Sequence, residues 1–198
     1  MSNIDKLGIG DSFDASVTRN AGSSDQIGLE GRYTFACYDK DGNLKWTDGI
    51  ENLTTNVGRA NLLDSYFANT GGGAVVMGLM TENAVPVSTP AYTDTQSSHA
   101  GWYEAGATYA PSYSGTRKTP SFSSATSANP SVLSTASAVV FSMTGSGTVT
   151  GAFINIGGSS AIDNTTGTLF SAGNFTAGSK TVTSGDTINV TYTLSAAG

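Results

Sequence analysis

The stretch TINVTYTL, residues 187–194, decides the fold class because its side chains alternate between apolar and polar. Ile188, Val190, Tyr192 and Leu194 fall on one side of an extended chain, and the residues between them are Thr or Asn. A period of two residues is the pattern of a strand with one buried face. The sequence therefore predicts a half-buried β-strand at 187–194.

Other short segments of the same kind precede this strand. Strand patterns separated by Gly- and Ser-rich turns occur at 137–143, 148–156, 168–172 and 180–183. Residues 32–38 and 43–47 flank the turn Asp39–Gly42, which predicts a β-hairpin with glycine at the positive-φ position. We do not interpret this turn as a calcium loop, because an EF-hand needs more ligands and a closing Glu. Frequent turns between short strands predict an antiparallel β-sandwich or jelly-roll-like domain.

One segment, at about 56–68, has the pattern of a short α-helix. A threonine or asparagine at 54–56 can cap its first turn. Ala60, Leu63 and Phe67 recur at helical spacing, so we expect this face to pack on the sheet.

The chain divides into two parts by composition. Residues 1–27 are polar and weakly patterned, which predicts an extended or flexible N-terminal arm; such an arm is either an unordered terminus or a segment that orders on a neighbouring subunit. Residues 28–198 are predicted to form a single β domain. Its segment 81–135 is rich in loops and proline, and long connections of this kind commonly make contacts.

Charge and hydropathy exclude several classes of partner. Only 12% of the 198 residues are charged, and the net charge is −6. Basic residues are scattered singly, so we expect no nucleic-acid partner. No apolar run approaches the roughly 18 residues that span a bilayer, and residues 1–11 do not resemble a secretory signal. We therefore expect synthesis in a cytoplasm and no membrane partner.

Nucleophilic catalysis has few candidate residues in this sequence. His99 is the single histidine and lies beside Ser97 and Ser98. Adjacent residues seldom point toward each other, and no orienting acid is marked, so we favour a structural hydrogen bond for His99. Cys37, the single cysteine, lies in a strand pattern and is predicted to be an inert core thiol.

Binding and acid–base sites are equally weakly marked. No pair of carboxylates has a spacing distinctive of glycoside hydrolysis; the candidates are Asp48, Glu51, Glu82, Asp94 and Glu104. Four aromatic residues offer either a sugar platform or core and subunit-interface packing, and we favour packing; they are Trp102, Tyr103, Tyr109 and Tyr113. The chain has no phosphate-binding glycine motif, and its lone histidine rules out a histidine cluster for a metal. We predict no catalytic residues, no cofactor and no metal site.

A likeness to a known family rests on the order of several blocks. These blocks are WTDGIENLTTNVG at 46–58, LLDSYF at 62–67, VMGL at 76–79, SHAGWYE at 98–104, GAF at 151–153, GTLFS at 167–171 and GDTINVTYTL at 185–194. In this order they resemble a family of small structural proteins of tailed-bacteriophage virions. The likeness covers residues 30–195 and leaves out the N-terminal segment.

The resemblance implies a virion component without catalytic residues, and not an enzyme. Its partners would be the major capsid protein or other virion proteins, and the chain would form a homotrimer. The specific expectation is a capsid decoration or cement protein. The alternative is a tail or fibre component that contacts host surface glycans through Trp102, Tyr103 and Tyr109.

Overall fold

The computed structural model describes residues 28–68, 72–82, 89–106 and 108–197. The predicted arm at 1–27 lies outside the described residues. The described residues form eleven strands and one helix. The elements are β1 (Gly28–Tyr38), β2 (Leu44–Thr54), α1 (Asn56–Phe67), β3 (Val75–Thr81), β4 (Tyr103–Glu104), β5 (Ser131–Ser134), β6 (Val139–Ser142), β7 (Gly147–Val149), β8 (Gly151–Ile156), β9 (Thr168–Asn174), β10 (Lys180–Val182) and β11 (Thr187–Ala197).

The main sheet is antiparallel and has the order β4-β3-β8-β9-β2-β1-β11-β5, with β6 also paired to β11. Strand β2 joins its two halves, because residues 44–52 pair with β1 while Leu53 and Thr54 pair with β9. Strands β7 and β10 form a separate two-stranded ribbon. This arrangement confirms the predicted mainly β, sandwich-like fold with one short helix.

A single main core joins the two halves of the sheet. Phe35 and Ile188 come from one half, Met77 and Ile154 come from the other, and all four are buried. The hydroxyl groups of Tyr33 in β1 and Ser171 in β9 also hydrogen-bond across this core, with 2.6 Å between their oxygens. The apolar side of the C-terminal strand lies in the same core, as the alternation at 187–194 predicts.

The hairpin of β1 and β2 has the turn that the sequence predicts. Gly42 has a φ of 83°, which favours glycine. The Asp39 carboxylate accepts hydrogen bonds from the backbone amides of Asp41 and Asn43. The side chain of Asp39 thus closes the hairpin turn.

Helix α1 begins where the sequence predicts, but the predicted packing face is wrong. The Thr55 hydroxyl accepts a hydrogen bond from the Gly58 amide and donates one to the Leu169 carbonyl, which fixes the start of the helix against β9. Gly58 is buried against the backbone of Phe170, where an added Cβ would lie 2.4 Å from the carbonyl oxygen. Leu62, one turn later, packs against the main core.

The stripe Ala60, Leu63 and Phe67 faces solvent, with Leu63 55% and Phe67 86% exposed. Helical periodicity shows that a stripe exists but does not show which side meets the sheet. The close approach at Gly58 decides the rotation of the helix, and a glycine does not contribute to an apolar pattern.

Trp102, which lies between β3 and β4, covers the outer face of the sheet around β8. Ala152 and Ile154 point into the main core, while Phe153 points the other way. Phe153 joins a second buried cluster, which consists of Met80, Trp102, Phe153, Leu169 and Ala172. The loop-rich segment thus contributes Trp102 to the second core. Residues near Trp102 in this segment line a polar cavity beside that core.

Candidate functional site

Trp102 is buried and contributes to the second core. It is 1% exposed, and its ring lies 5.5 Å from the Phe153 ring between centroids. Its Nε1 donates a hydrogen bond to Asp94 Oδ2 at 3.2 Å. A buried indole cannot stack on a sugar, so the favoured prediction of packing is confirmed for Trp102 and the alternative, a glycan contact through Trp102, is wrong.

His99 lies flat on Trp102, with ring centroids 3.7 Å apart and an interplanar angle of 16°. Its Nδ1 is 3.1 Å from the Trp102 carbonyl oxygen. Burial lowers the pKa of His99, although this hydrogen bond and the Asp94 carboxylate oppose the shift. The imidazole is therefore neutral near pH 7, so Nδ1–H donates to the carbonyl and Nε2 is left as an acceptor. The predicted structural hydrogen bond of His99 is confirmed.

A buried ion pair lies beside His99 and joins two parts of the chain. Arg117 Nε and Nη2 donate to the two carboxylate oxygens of Glu104 at 2.8 and 2.7 Å. The arginine side chain is 0% exposed and that of the glutamate 6%. Burial raises the pKa of Glu104, while the guanidinium opposes the shift through its hydrogen bonds and charge. The ion pair holds β4 against the segment that contains Arg117.

The same pair also anchors the loop between β8 and β9. Arg117 donates to the Ser159 carbonyl at 3.1 Å and to the Asn164 carbonyl at 2.7 Å. The backbone amide of Asp163 donates to Glu104 Oε2 at 2.8 Å. Asp163 itself adopts a φ of 61°, in the left-handed region that Asp and Asn tolerate best among non-glycine residues.

A polar cavity of about 270 Å³ opens where these parts meet. Tyr103 and Tyr109 line it with ring centroids 4.4 Å apart. The other lining residues carry hydrogen-bonding side chains; they are Gln96, His99, Glu104, Thr108, Asp163, Asn164 and Thr165. Of the predicted aromatic platform, Tyr103 and Tyr109 meet at this cavity, whereas Tyr113 packs edge-on against Phe141 in the main core.

The loop residues of this cavity were missed by the sequence analysis. Asp163 and Asn164 lie in a turn of ordinary composition, and Gln96 is separated from them by about a third of the chain. Nothing local in the sequence marks them, because tertiary hydrogen bonds bring them together. The positive φ of Asp163 is the one unusual local feature, and it is visible only in the structure.

The structure shows how each of the five carboxylates considered for acid–base catalysis is engaged. Each has a different partner: Asp48 binds Lys180, Glu51 binds Arg32, Glu82 accepts from Thr148, Asp94 accepts from Trp102, and Glu104 binds Arg117. Within the described ranges, no three His, Cys, Asp or Glu side chains are grouped so that they could hold a metal ion. Cys37 is fully buried in the main core, as predicted.

A second cavity, of about 250 Å³, lies between helix α1 and the main core. Its walls are almost entirely apolar and include Leu62, Phe122, Leu133, Phe170 and Leu194. The solvent-facing stripe of α1 is a separate apolar feature, since it lies on the opposite side of the helix. No helix in the described part of the chain is long and apolar enough to cross a membrane.

No protein-family model matches the chain, and neither a curated protein nor a solved structure is detectably similar to it.

Proposed function

We propose that this chain is a non-enzymatic structural protein of a tailed-bacteriophage virion, and specifically a capsid decoration protein. In this proposal it binds as a homotrimer to the outer lattice of the major capsid protein and stabilises the head. It is assembled onto the particle in the host cytoplasm and remains in the virion. The order of sequence blocks that resembles small virion proteins is the starting point of the proposal.

The apolar stripe of helix α1 is the observation that supports the proposal most directly. Leu63 and Phe67 project into solvent from a helix whose opposite face is already packed on β9. Large apolar side chains adjacent on one exposed face are typical of protein–protein contact sites. Fully burying an exposed side chain of this size is worth about 1.5–3 kcal/mol, so Phe67, which is 86% exposed, would contribute most of this and Leu63, which is 55% exposed, a smaller share.

The low charge of the surface also favours assembly. From Thr119 to Gly198 the charged residues are Asp163, Lys180 and Asp186 only. A neutral surface loses little solvation free energy when it is buried against a neighbour. Interface centres are depleted of charge for the same reason.

Stabilisation of the head follows from mass action. A protein that binds the assembled shell but not its unassembled subunits shifts the equilibrium toward the shell, by an amount that depends on its concentration relative to Kd. No chemical step is required, so this role needs no catalytic residue.

The first experiment is the copy number of the chain in purified particles, measured by quantitative mass spectrometry against the major capsid protein. A number comparable with that of the capsid protein is the expected result. A small number that matches a tail or vertex symmetry would replace decoration with a tail or fibre role. Absence from the particle would refute the virion proposal.

A binding experiment tests the stripe itself. The variant Leu63→Ser/Phe67→Ser should bind particles at least tenfold more weakly and keep the wild-type melting temperature, because both side chains are exposed in the free chain. Leu44→Ser is the matched control, since Leu44 is 58% exposed at the start of β2. Equal binding by all three proteins would remove the stripe from the contact surface.

The second candidate function is a tail or fibre component that contacts host surface glycans. The polar cavity lined by Tyr103 and Tyr109 favours this candidate, because it combines aromatic rings with hydrogen-bonding groups. Particle copy number separates the two locations, as described above.

A further inference from the structure

We propose that the polar cavity beside Trp102 is a binding site for a neutral saccharide. The inference does not depend on whether the chain lies on the head or the tail, because the site is contained within one chain. Of the three aromatic residues in the sequence-based suggestion, it keeps Tyr103 and Tyr109 and leaves out the buried Trp102. The aromatic rings, the hydrogen-bonding groups, the charge and the rigidity of the cavity all favour such a ligand.

The aromatic part of the site consists of Tyr103 and Tyr109. Both side chains are half-buried, and their ring centroids are 4.4 Å apart at a tilt of 40°. Tyrosine offers an apolar ring face together with a hydroxyl group, so it suits a ligand with both C–H and O–H groups. A saccharide ring has this composition on each face.

The remaining walls offer both acceptors and donors. His99 presents Nε2 as an acceptor, because its Nδ1 is engaged with the Trp102 carbonyl. Asp163 is exposed and adds a carboxylate, one oxygen of which already accepts a hydrogen bond from the Thr108 hydroxyl. Asn164 also lines the cavity, and its amide oxygen accepts from the Thr166 amide and hydroxyl, so its NH₂ group is the part that can donate to a ligand. Hydroxyl groups act as both donors and acceptors, so a polyhydroxyl ligand matches this mixture.

The charge of the cavity favours a neutral ligand. Arg117 lies behind the wall, but its guanidinium is fully buried and is engaged with Glu104 and two backbone carbonyls. It is therefore not available to bind an anion. Asp163 is exposed and forms no ion pair with any of the described residues. Its negative charge therefore repels acidic sugars and phosphate.

The cavity is held in shape by buried hydrogen bonds. Asn155 Nδ2 donates to Gln96 Oε1 at 2.9 Å, and the Asp163 amide donates to Glu104 at 2.8 Å. Arg117 fixes the Asn164 carbonyl at 2.7 Å. A preformed site loses little conformational entropy when it binds, which allows a small ligand to bind with few contacts.

Ligand binding by the isolated full chain tests the inference. The probes are methyl glycosides of glucose, galactose and N-acetylglucosamine, with sialyllactose as the acidic comparison, studied by saturation-transfer NMR and titration. We expect at least one neutral glycoside to bind with Kd of about 1 mM, as for a small ligand with few contacts, and more tightly than sialyllactose. Tyr109→Ala should weaken that binding at least tenfold. Tyr92→Ala is the control, because Tyr92 is an exposed tyrosine away from the cavity lining.

Asp163→Asn provides a second variant that should keep the fold, since Asn tolerates the left-handed backbone of residue 163. This variant should reduce the difference in affinity between the neutral glycosides and sialyllactose, because the substitution removes the negative charge that repels the acidic sugar. The inference is overturned if no neutral glycoside binds at about 10 mM. It is also overturned if Tyr109→Ala and Tyr92→Ala lose affinity equally, or if the wild-type protein binds sialyllactose more tightly than every neutral glycoside. These outcomes are independent of particle copy number, so they leave the proposed location in the virion unaffected.

Discussion

Replacing Arg117 with methionine should destabilise the protein strongly, because it leaves the Glu104 carboxylate buried without its partner. Methionine can follow the aliphatic stem of the arginine and has no charge, but it is shorter, so the change removes the ion pair and leaves part of the space of the guanidinium unfilled. Removing one partner of a buried pair costs about 3–5 kcal/mol. For a chain of 198 residues, this loss corresponds to a fall in melting temperature of about 6–20 °C.

The pH dependence of this loss distinguishes a buried charge from a simple packing defect. In wild type, burial raises the pKa of Glu104 and Arg117 opposes the shift. In Arg117→Met the opposing effect is gone, so the folded variant keeps a proton that the unfolded chain releases above about pH 4.3. The free energy of unfolding of the variant therefore falls as pH rises above this value. The gap to wild type should be small at pH 4 and large at pH 8.

A double variant completes the test. Glu104→Gln in the Arg117→Met background removes the uncompensated charge, and its amide oxygen can still accept the Asp163 amide proton. We expect it to recover more than half of the lost stability at pH 8 in urea or thermal unfolding. A single-variant loss below about 1 kcal/mol, a loss that does not change with pH, or a double variant less stable than the single would refute this reasoning.

Three further predictions follow from local contacts. Gly58→Ala should lower the free energy of unfolding by about 1–3 kcal/mol in urea titration, because the added Cβ would lie 2.4 Å from the Phe170 carbonyl oxygen. This loss is expected even though alanine favours the helix over glycine by about 1 kcal/mol. A gain in stability would show that the helix shifts freely. The Cys37 thiol should not react with a thiol reagent at pH 8 until the protein unfolds. Burial, with a contribution from the Asp186 charge, raises the pKa of this thiol to about 11, so the reactive thiolate is scarce at pH 8. Fast labelling of the native protein would contradict this prediction. Asp186→Asn should lower the melting temperature more at pH 7 than at pH 2. Burial raises the pKa of Asp186, but hydrogen bonds from Lys45 and Thr183 outweigh this effect and hold the pKa below its usual value, so the stabilisation declines as pH falls toward that pKa. An equal loss at both pH values would exclude the charge as its origin.

The helix shows where inference from the sequence ends. Its position, a cap among residues 54–56 and bounds of about 56–68, against the observed Asn56–Phe67, were predictable, because capping and periodicity are local properties of the chain. The rotation of the helix about its axis was not predictable. Gly58 allows the close contact with β9, but it has no side chain and so does not contribute to the apolar periodicity of the sequence. The consequence is large, since the stripe expected in the core is the exposed surface on which the proposed function depends.

The candidate site shows the same limit more strongly. Aromatic residues at 102–109 were singled out from the sequence. The sequence alone does not show that Trp102 is buried whereas Tyr103 and Tyr109 are accessible. Burial depends on which face of β8 the covering segment meets. The ion pair of Glu104 and Arg117 and the turn at 163–165 carry no sequence pattern, because non-local hydrogen bonds assemble them.

The sequence by itself determined the fold class and many of the strands, as the segment 187–194 illustrates. It placed β5 in a loop-rich segment and predicted one strand at 148–156, where the structure has β7 and β8 in different sheets. Alternation with a period of two requires a strand with one buried face, and sparse charge with frequent turns requires many short strands. Only the tertiary structure decided which surfaces stay exposed and which polar groups converge on a cavity. The physical reason is that local conformation depends on neighbours along the chain, whereas burial and convergence depend on contacts between segments far apart in sequence.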